Sequence, residues 1–296
     1  MNINPVKIIA ATVFALLAFA SNSVLCRLAL GENAIDPSSF TIIRLISGII
    51  ILMAVMQLSE KSNNVKLKSK GSWLAASMLF IYAIAFSFGY VSLDTGTGAL
   101  ILFGSVQITM IITSVISGNK LHISEWLGLL IAFSGFVYLI IPDLVTPSLM
   151  GFMLMTISGV AWGFYTLLGR TSQSPLSDTV YNFLRTSPFI LVLIFFGLND
   201  IHLTYTGIVL AVLSGAIASG LGYFLWYIAL KGLSVTQAAV VQLFVPIIAA
   251  TGGVIFTHEL ITLRLIESSA LVLGGILMVI LGRYYFVHLP SKKINR

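Results

Sequence analysis

Ten nearly continuous apolar stretches, each long enough to cross a bilayer and joined by short polar segments, leave this chain little to become but a membrane bundle. They run over residues 8–30, 38–58, 73–92, 97–117, 125–141, 149–168, 179–198, 206–230, 234–256 and 265–286. One crossing of the hydrocarbon core takes about 20 residues of helix. A chain of 296 residues therefore holds ten crossings and their joints, with nothing left for a separate soluble module. The runs do not alternate with period two, which selects helices over barrel strands. With 58% apolar and 9% charged residues, a soluble fold would lack the charge to cover itself. The expected fold is an all-α integral membrane protein of ten transmembrane helices.

The charges separate by side when the spans are followed in alternation. Lys7, the loop with Lys61, Lys66, Lys68 and Lys70, Lys120, Arg170, Lys231, Arg283 and the tail with Lys292, Lys293 and Arg296 all fall on one side. Glu32, Asp36, Asp94, Asp143, Asp200 and Glu259 fall on the other, together with Arg264. The positive-inside rule then places both termini in the cytoplasm of a cell (inner) membrane protein. The net charge of +6 is thus explained by membrane anchoring, and no nucleic-acid partner is expected. Residues Ala18-Phe19-Ala20 after Lys7 resemble a signal cleavage site, but the apolar run continues to Leu30 and outlasts a signal core. A single cysteine, Cys26, excludes an internal disulfide and a cysteine-rich metal site.

The two halves repeat. Ala18-Phe19-Ala20-Ser21-Asn22-Ser23-Val24-Leu25-Cys26-Arg27 aligns without a gap to Ala161-Trp162-Gly163-Phe164-Tyr165-Thr166-Leu167-Leu168-Gly169-Arg170. Phe40 to Arg44 then falls near Tyr181 to Arg185, early in the second span of each half. Thr97-Gly98-Ala99 pairs with Thr236-Gln237-Ala238, and Asn119-Lys120-Leu121 with His258-Glu259-Leu260. The expected units are 1–145 and 146–290, followed by a basic cytoplasmic tail at 291–296. Five spans per unit is an odd number, so the second copy is inverted in the membrane. Such inverted repeats serve alternating access in secondary transporters, with the substrate between the halves near the midplane.

Polar groups inside a bilayer are costly and nominate a site. Asn22, Tyr82, Gln107, Trp162, Tyr165 and Gln242 are expected to line one central cavity and bind substrate, with packing between helices as the alternative for each amide. Arg44 lies about 9 Å inside its helix, too deep to snorkel in comfort. It needs either an acidic partner such as Glu32 or Asp36, or a substrate carboxylate or phosphate. Arg27 lies nearer the surface, where snorkelling suffices. Arg185 has Asp178 close in sequence, and Arg27, Arg185 and the helix-breaking Pro246 are the expected gating residues. Trp73 and Trp126 stand at span entrances as interface anchors, and Tyr223, Trp226 and Tyr227 are read as belt residues. Gly159 and Gly163 form a GxxxG that serves either internal packing or a homodimer.

The Ala18–Ser23 and Ala161–Thr166 segments, Arg44 in its Phe-Thr-Ile-Ile-Arg context, the 229–238 stretch, Val245-Pro246 and the turn 258–262 together resemble the EamA-type permeases of the drug/metabolite transporter superfamily. The resemblance covers essentially the whole chain and implies a carrier of two five-helix repeats, working as an exporter. Members often carry a glutamate just before the ninth-helix proline. Here Phe244-Val245 stands at that place and Gln107 at the matched first-half position, so proton coupling is not implied.

The sequence thus reads as a secondary transporter of a small metabolite, an amino acid or related polar or anionic compound, moved outward by alternating access. A cationic-drug exporter of the same fold and a non-transporting scaffold or receptor are the alternatives. No GxxxxGK[ST] loop, no HExxH and no intramembrane aspartate pair is present, so neither enzyme activity nor a cofactor or metal is expected. A membrane enzyme acting on lipid would need a nucleophile and base clustered at one interface, and the sequence shows none.

Overall fold

The computed structural model describes residues 5–63, 70–118, 122–140, 148–197, 201–233 and 235–283. Expected features at Lys66, Lys68, Lys120, Asp143, Asp200 and the 291–296 tail lie outside the described residues.

In the first half the helices are α1 (Pro5–Gly31), α2 (Pro37–Asn63), α3 (Trp73–Tyr90), α4 (Thr95–Ile116) and α5 (Ile123–Ile140). The second half begins with α6 (Leu149–Gly169). Its seventh span is broken into α7 (Pro175–Leu184) and α8 (Ser187–Gly197). The eighth comprises α9 (Tyr205–Leu213), a π-helical segment (Ser214–Leu221) and α10 (Gly222–Gly232). The ninth comprises α11 (Val235–Gln242) and α12 (Phe244–Phe256), and the tenth is α13 (Leu263–Arg283). These agree with the expected spans to within a few residues at each end.

Local chemistry accounts for the breaks. Pro246 lacks the N–H that would bond Gln242, and its ring opposes that carbonyl, so the ninth helix interrupts at Leu243 and restarts at Phe244. The seventh span breaks at Arg185 and Thr186, where the Thr186 hydroxyl bonds the Phe183 carbonyl. Ser72, Ser148 and Thr204 cap α3, α6 and α9 by accepting the N–H groups of Ala75, Gly151 and Gly207.

Packing repeats the inversion. The sixth span lies against the third and fourth, and the first span against the eighth and ninth, which is the same arrangement with the halves exchanged. The fifth and tenth spans pack on each other, with the backbones of Gly128 and Gly275 in close approach. Between helices in lipid there is little hydrophobic drive, so small residues and buried hydrogen bonds decide the contacts. Gly159 and Gly163 do this inside the chain, against Leu102, Ser105 and Thr109 of α4. The exposed apolar side chains, among them Phe14, Ile50, Leu130, Phe195 and Ile255, form the outer face of the bundle.

Candidate functional site

Arg44 is the centre of the molecule's polar core. It is 1% exposed and seven residues into α2. Its Nε donates to Ser219 Oγ at 3.0 Å, and its Nη2 donates to the hydroxyls of Tyr82 at 3.1 Å and Tyr223 at 2.8 Å. The guanidinium carbon lies 5.1 Å from the Tyr82 ring and 4.8 Å from Phe86. Among the described residues no acidic side chain pairs with it; Asp36, one expected partner, instead accepts the N–H groups of Ser39 and His202. Nη1 has no acceptor among the described residues. A buried guanidinium satisfied only by hydroxyls and ring faces is a costly arrangement.

Asn22 joins this core from α1. Its amide nitrogen donates to Tyr82 Oη at 3.1 Å, and its oxygen accepts from Ser214 Oγ at 2.5 Å. The Tyr223 hydroxyl also donates to Tyr82 Oη at 3.0 Å. Around these atoms stands a ring cluster. Trp162 lies 4.9 Å from Tyr82, 4.5 Å from Tyr223 and 5.3 Å from both Phe19 and Tyr165. Trp226 lies 5.6 Å from Phe19, and the Trp162 and Trp226 indole nitrogens and the Tyr165 hydroxyl have no hydrogen-bond partner among the described residues. Residues from both halves therefore meet at one polar and aromatic hub.

Five of the expected binding residues, Asn22, Arg44, Tyr82, Trp162 and Tyr165, converge there. Gln107 and Gln242 spend their amide nitrogens on the carbonyls of Ala239 and Ala238 in α11, at 3.1 and 3.2 Å, and stay with the ninth span. Tyr223, Trp226 and Tyr227 are not belt residues: all three are 1% exposed or less and pack inward. Their place near a span end is where aromatic residues usually form a belt, but here they turn into the bundle. Neither Ser214 nor Ser219 stands out as a candidate in the sequence, because small serines serve helix packing as readily as binding. Trp73 and Trp126 remain exposed, at 57% and 53%, in keeping with anchors.

The hub is closed at both ends of the bundle. At one end Arg27 does not simply snorkel. Its guanidinium is 3.1 Å from Asp94 and 3.1 Å from Glu259. Glu259 also accepts the Thr95 N–H at 2.9 Å, so a carboxylate of the second half sits on the N-terminus of α4 in the first. A small polar cleft of about 120 Å³, lined by Ser92, Asp94, Thr97, Glu259 and Arg264, lies at this end. At the other end the expected Arg185–Asp178 pair is not formed. Asp178 accepts the Gly71 N–H at 3.0 Å and the Ser172 hydroxyl at 2.5 Å, and Asn182 accepts the Ser72 N–H at 2.9 Å. Arg185 donates to the Lys70 carbonyl and lies over the Trp73 ring. The physical reason is position: Arg185 caps the broken helix and faces outward, whereas Asp178 faces the loop before α3.

A wide apolar groove of about 760 Å³ opens on the bundle's flank, lined by residues of α1, α9, the π-helical segment and α12, with Leu17, Ser21, Ile217 and Thr251 among them. Ser21 and Ala218 in its wall are the chain neighbours of the hub residues Asn22 and Ser219.

Comparison with known proteins agrees with this architecture. The EamA-like transporter family matches residues 6–141 and 149–281. An uncharacterized protein of Pseudomonas aeruginosa is 45% identical over 272 residues, 92% of this chain and 94% of that protein. An uncharacterized transporter of Archaeoglobus fulgidus is 26% identical over 69% of this chain and 74% of its own length. The uncharacterized transporter YoaV of Bacillus subtilis is 19% identical over 84% and 88%. A solved protein structure superimposes with a TM-score of 0.67 at 16% identity, covering 94% of this chain and 98% of that one, which shows a shared fold. Two matched five-helix units around one buried hub make this chain a multi-pass membrane transporter, and it belongs to the EamA-like transporter family of the drug/metabolite transporter superfamily.

Proposed function

We propose that the protein is a secondary carrier that moves a small polar or anionic metabolite, amino acids and their relatives included, by alternating access. Arg44 carries this reading. Among the described residues it is a buried cation at the junction of the halves with no carboxylate beside it and no acceptor for Nη1. Asn22, Tyr82, Trp162 and Tyr165 surround the head group and body of the substrate. Gln107 and Gln242 stiffen the ninth span at its break, where Pro246 supplies a hinge.

With the N-terminus in the cytoplasm of the cell membrane, the Arg27–Asp94–Glu259 contacts form the external gate. The Asp178 and Asn182 contacts to the 70–72 loop, with Arg185, form the cytoplasmic one. Each gate ties one half to the other, so opening either requires the halves to rock. Export is the direction that the family resemblance favours.

The test is counterflow in proteoliposomes. Vesicles loaded with a candidate metabolite should accumulate its labelled form, and Arg44→Gln should abolish the signal. Vesicles that stay silent across amino acids, organic anions and cationic drugs would sink the carrier reading and favour a scaffold. One observation favours the cationic-drug alternative: the flank groove is wide and apolar, which suits an amphiphile. Export of a lipophilic cation that survives Arg44→Gln would establish it.

A further inference from the structure

Resting on the carrier reading above, we infer that Arg170 is a second ligand site, at the cytoplasmic end of α6, where a carboxylate of the transported molecule is received before it reaches Arg44. The inverted repeat supplies the argument. At the external end Arg27 is held by two carboxylates, Asp94 and Glu259, at 3.1 Å each. Glu259 is itself held by three donors: Arg27 Nε, the Thr95 N–H and the Thr95 hydroxyl. A carboxylate is thus bound there by an arginine at the end of one helix and by the start of another.

The pairing of the halves carries Arg27 to Arg170, but it carries both acids to residues that are not acids. The register that sets Thr97 against Thr236 and Lys120 against Glu259 also sets Asp94 against Leu233. The cytoplasmic copy of the site keeps the arginine and loses both carboxylates, one of them to a lysine. The setting of Arg170 agrees with this. The residue is half-buried, and its Nη1 is buried with no hydrogen-bond partner among the described residues. Burial lowers its pKa, and among the described residues no neighbouring carboxylate offsets that loss. Asp178 is held instead by the Gly71 N–H and the Ser172 hydroxyl. Lys231 brings a second positive charge to this end, where it donates to the Gln173 carbonyl at 2.9 Å.

A ligand carboxylate replaces at Arg170 what Glu259 supplies at Arg27: two acceptor oxygens that a guanidinium can take in parallel. The asymmetry continues inward. Thr166 and Tyr165, about one turn nearer the hub, have hydroxyls without partners among the described residues. Asn22, the match of Tyr165 in the first half, is engaged by Tyr82 and Ser214. A phospholipid headgroup offers the same oxyanion chemistry at the membrane surface, so the test separates the two sources.

Phenylglyoxal attacks unpaired guanidinium groups and reads the site without transport. Its reaction with each arginine is followed by peptide mass spectrometry on the full-length protein in neutral detergent. Arg170 should react at least about tenfold faster than Arg27, the scale of one charged hydrogen bond. Acetate at constant ionic strength should slow Arg170 several-fold and leave Arg27 unchanged. Leu233→Asp returns a carboxylate that the repeat lacks, and should slow Arg170 without acetate and remove the acetate effect. Arg170 reacting as slowly as Arg27, or at a rate that acetate does not change, overturns the inference. Slowing by phosphatidylglycerol vesicles, relative to phosphatidylcholine, in place of slowing by acetate assigns the site to a lipid headgroup and overturns it as well. Counterflow separates this site from the carrier reading. Arg170→Gln should raise the half-saturating concentration several-fold at the cytoplasmic face and leave the external face unchanged. Arg44-dependent exchange that Arg170→Gln alters at neither face leaves the carrier standing while this site falls. Acetate protection of Arg170 without exchange of any candidate metabolite does the reverse.

Discussion

Ser214 and Ser219 lie five residues apart on one span, yet both face the same polar hub. Ser214 Oγ meets Asn22 Oδ1 at 2.5 Å, and Ser219 Oγ meets Arg44 Nε at 3.0 Å. In an α-helix with 3.6 residues per turn, residues five apart point about 140° away from each other. The π-helical segment from Ser214 to Leu221 removes that divergence, because its hydrogen bonds run between residues five apart. The local irregularity thus assembles the Arg44 site from two helices of different halves. Inserting an alanine after Ala216 should rotate Ser219 and Tyr223 off Arg44 by about 100°, one residue's turn of helix. Transport should fall more than about tenfold while circular dichroism keeps its helical signal. The milder Ser219→Ala should cost about 1.5–3 kcal/mol of stability, the range for hydrogen bonds to charged groups, read from thermal unfolding.

The segment also needs Gly215. A side chain there would run into Ser47 Oγ and the Arg44 carbonyl, so α2 and the eighth span touch backbone to backbone. Gly215→Val should force them apart and destabilise the protein by about 1–3 kcal/mol, the cost of overpacking. Because the displaced backbone carries Arg44, ligand affinity should drop as well. Stability lost with affinity unchanged would mean that the hub tolerates the shift.

At the other end of the bundle, Gly71 has φ +60° and lies against Asn182, whose side chain accepts the Ser72 N–H. Gly71→Ala adds a side chain where the backbone is left-handed and the neighbour is already in place. It should cost about 1–3 kcal/mol at this latch. The expected result is faster thiol labelling of a cysteine introduced at the buried Thr179, beside Asp178, in a Cys26→Ala background. Labelling that stays as slow as in the parent would show that the 70–72 loop does not gate this end.

How much of this could be read in the sequence depends on whether a feature is set locally. The spans were legible because each apolar run is long enough to span by itself. Arg44, Asn22, Tyr82, Trp162 and Tyr165 were legible because polar or aromatic groups in mid-span have few places to go. Tyr223 and Trp226 were not, since they lie near a span end, where aromatic residues usually form a belt. The partners of Arg27 were illegible for another reason: Asp94 and Glu259 lie 67 and 232 residues away, brought together only by the packing of the repeats. Arg44 and Arg185 aligned in sequence but differ in setting, because the seventh span breaks at Arg185 and the second does not break at Arg44.

Glu259 is the residue on which the Arg27 end closes. It accepts from Arg27 Nε, from the Thr95 N–H and from the Thr95 hydroxyl, at 3.1, 2.9 and 3.1 Å. Its loop reaches this place through His258, which has φ +54°. A second contact between halves lies nearby: Ser92 and Ser148 have hydroxyls 2.6 Å apart. Replacing both with cysteine in a Cys26→Ala background brings two sulfurs within bonding reach, given the usual Cβ separation of about 3.5–4.5 Å in disulfides. Glu259→Gln keeps the shape but loses the charge that attracts Arg27, so the gate should open more readily. Impermeant maleimide should then label Thr97→Cys several-fold faster. Oxidising the 92–148 pair in the same protein should slow that labelling again and stop counterflow, and reduction should restore both. If the oxidised pair transports as well as the reduced one, closure at Glu259 is not part of the cycle, and the halves move elsewhere.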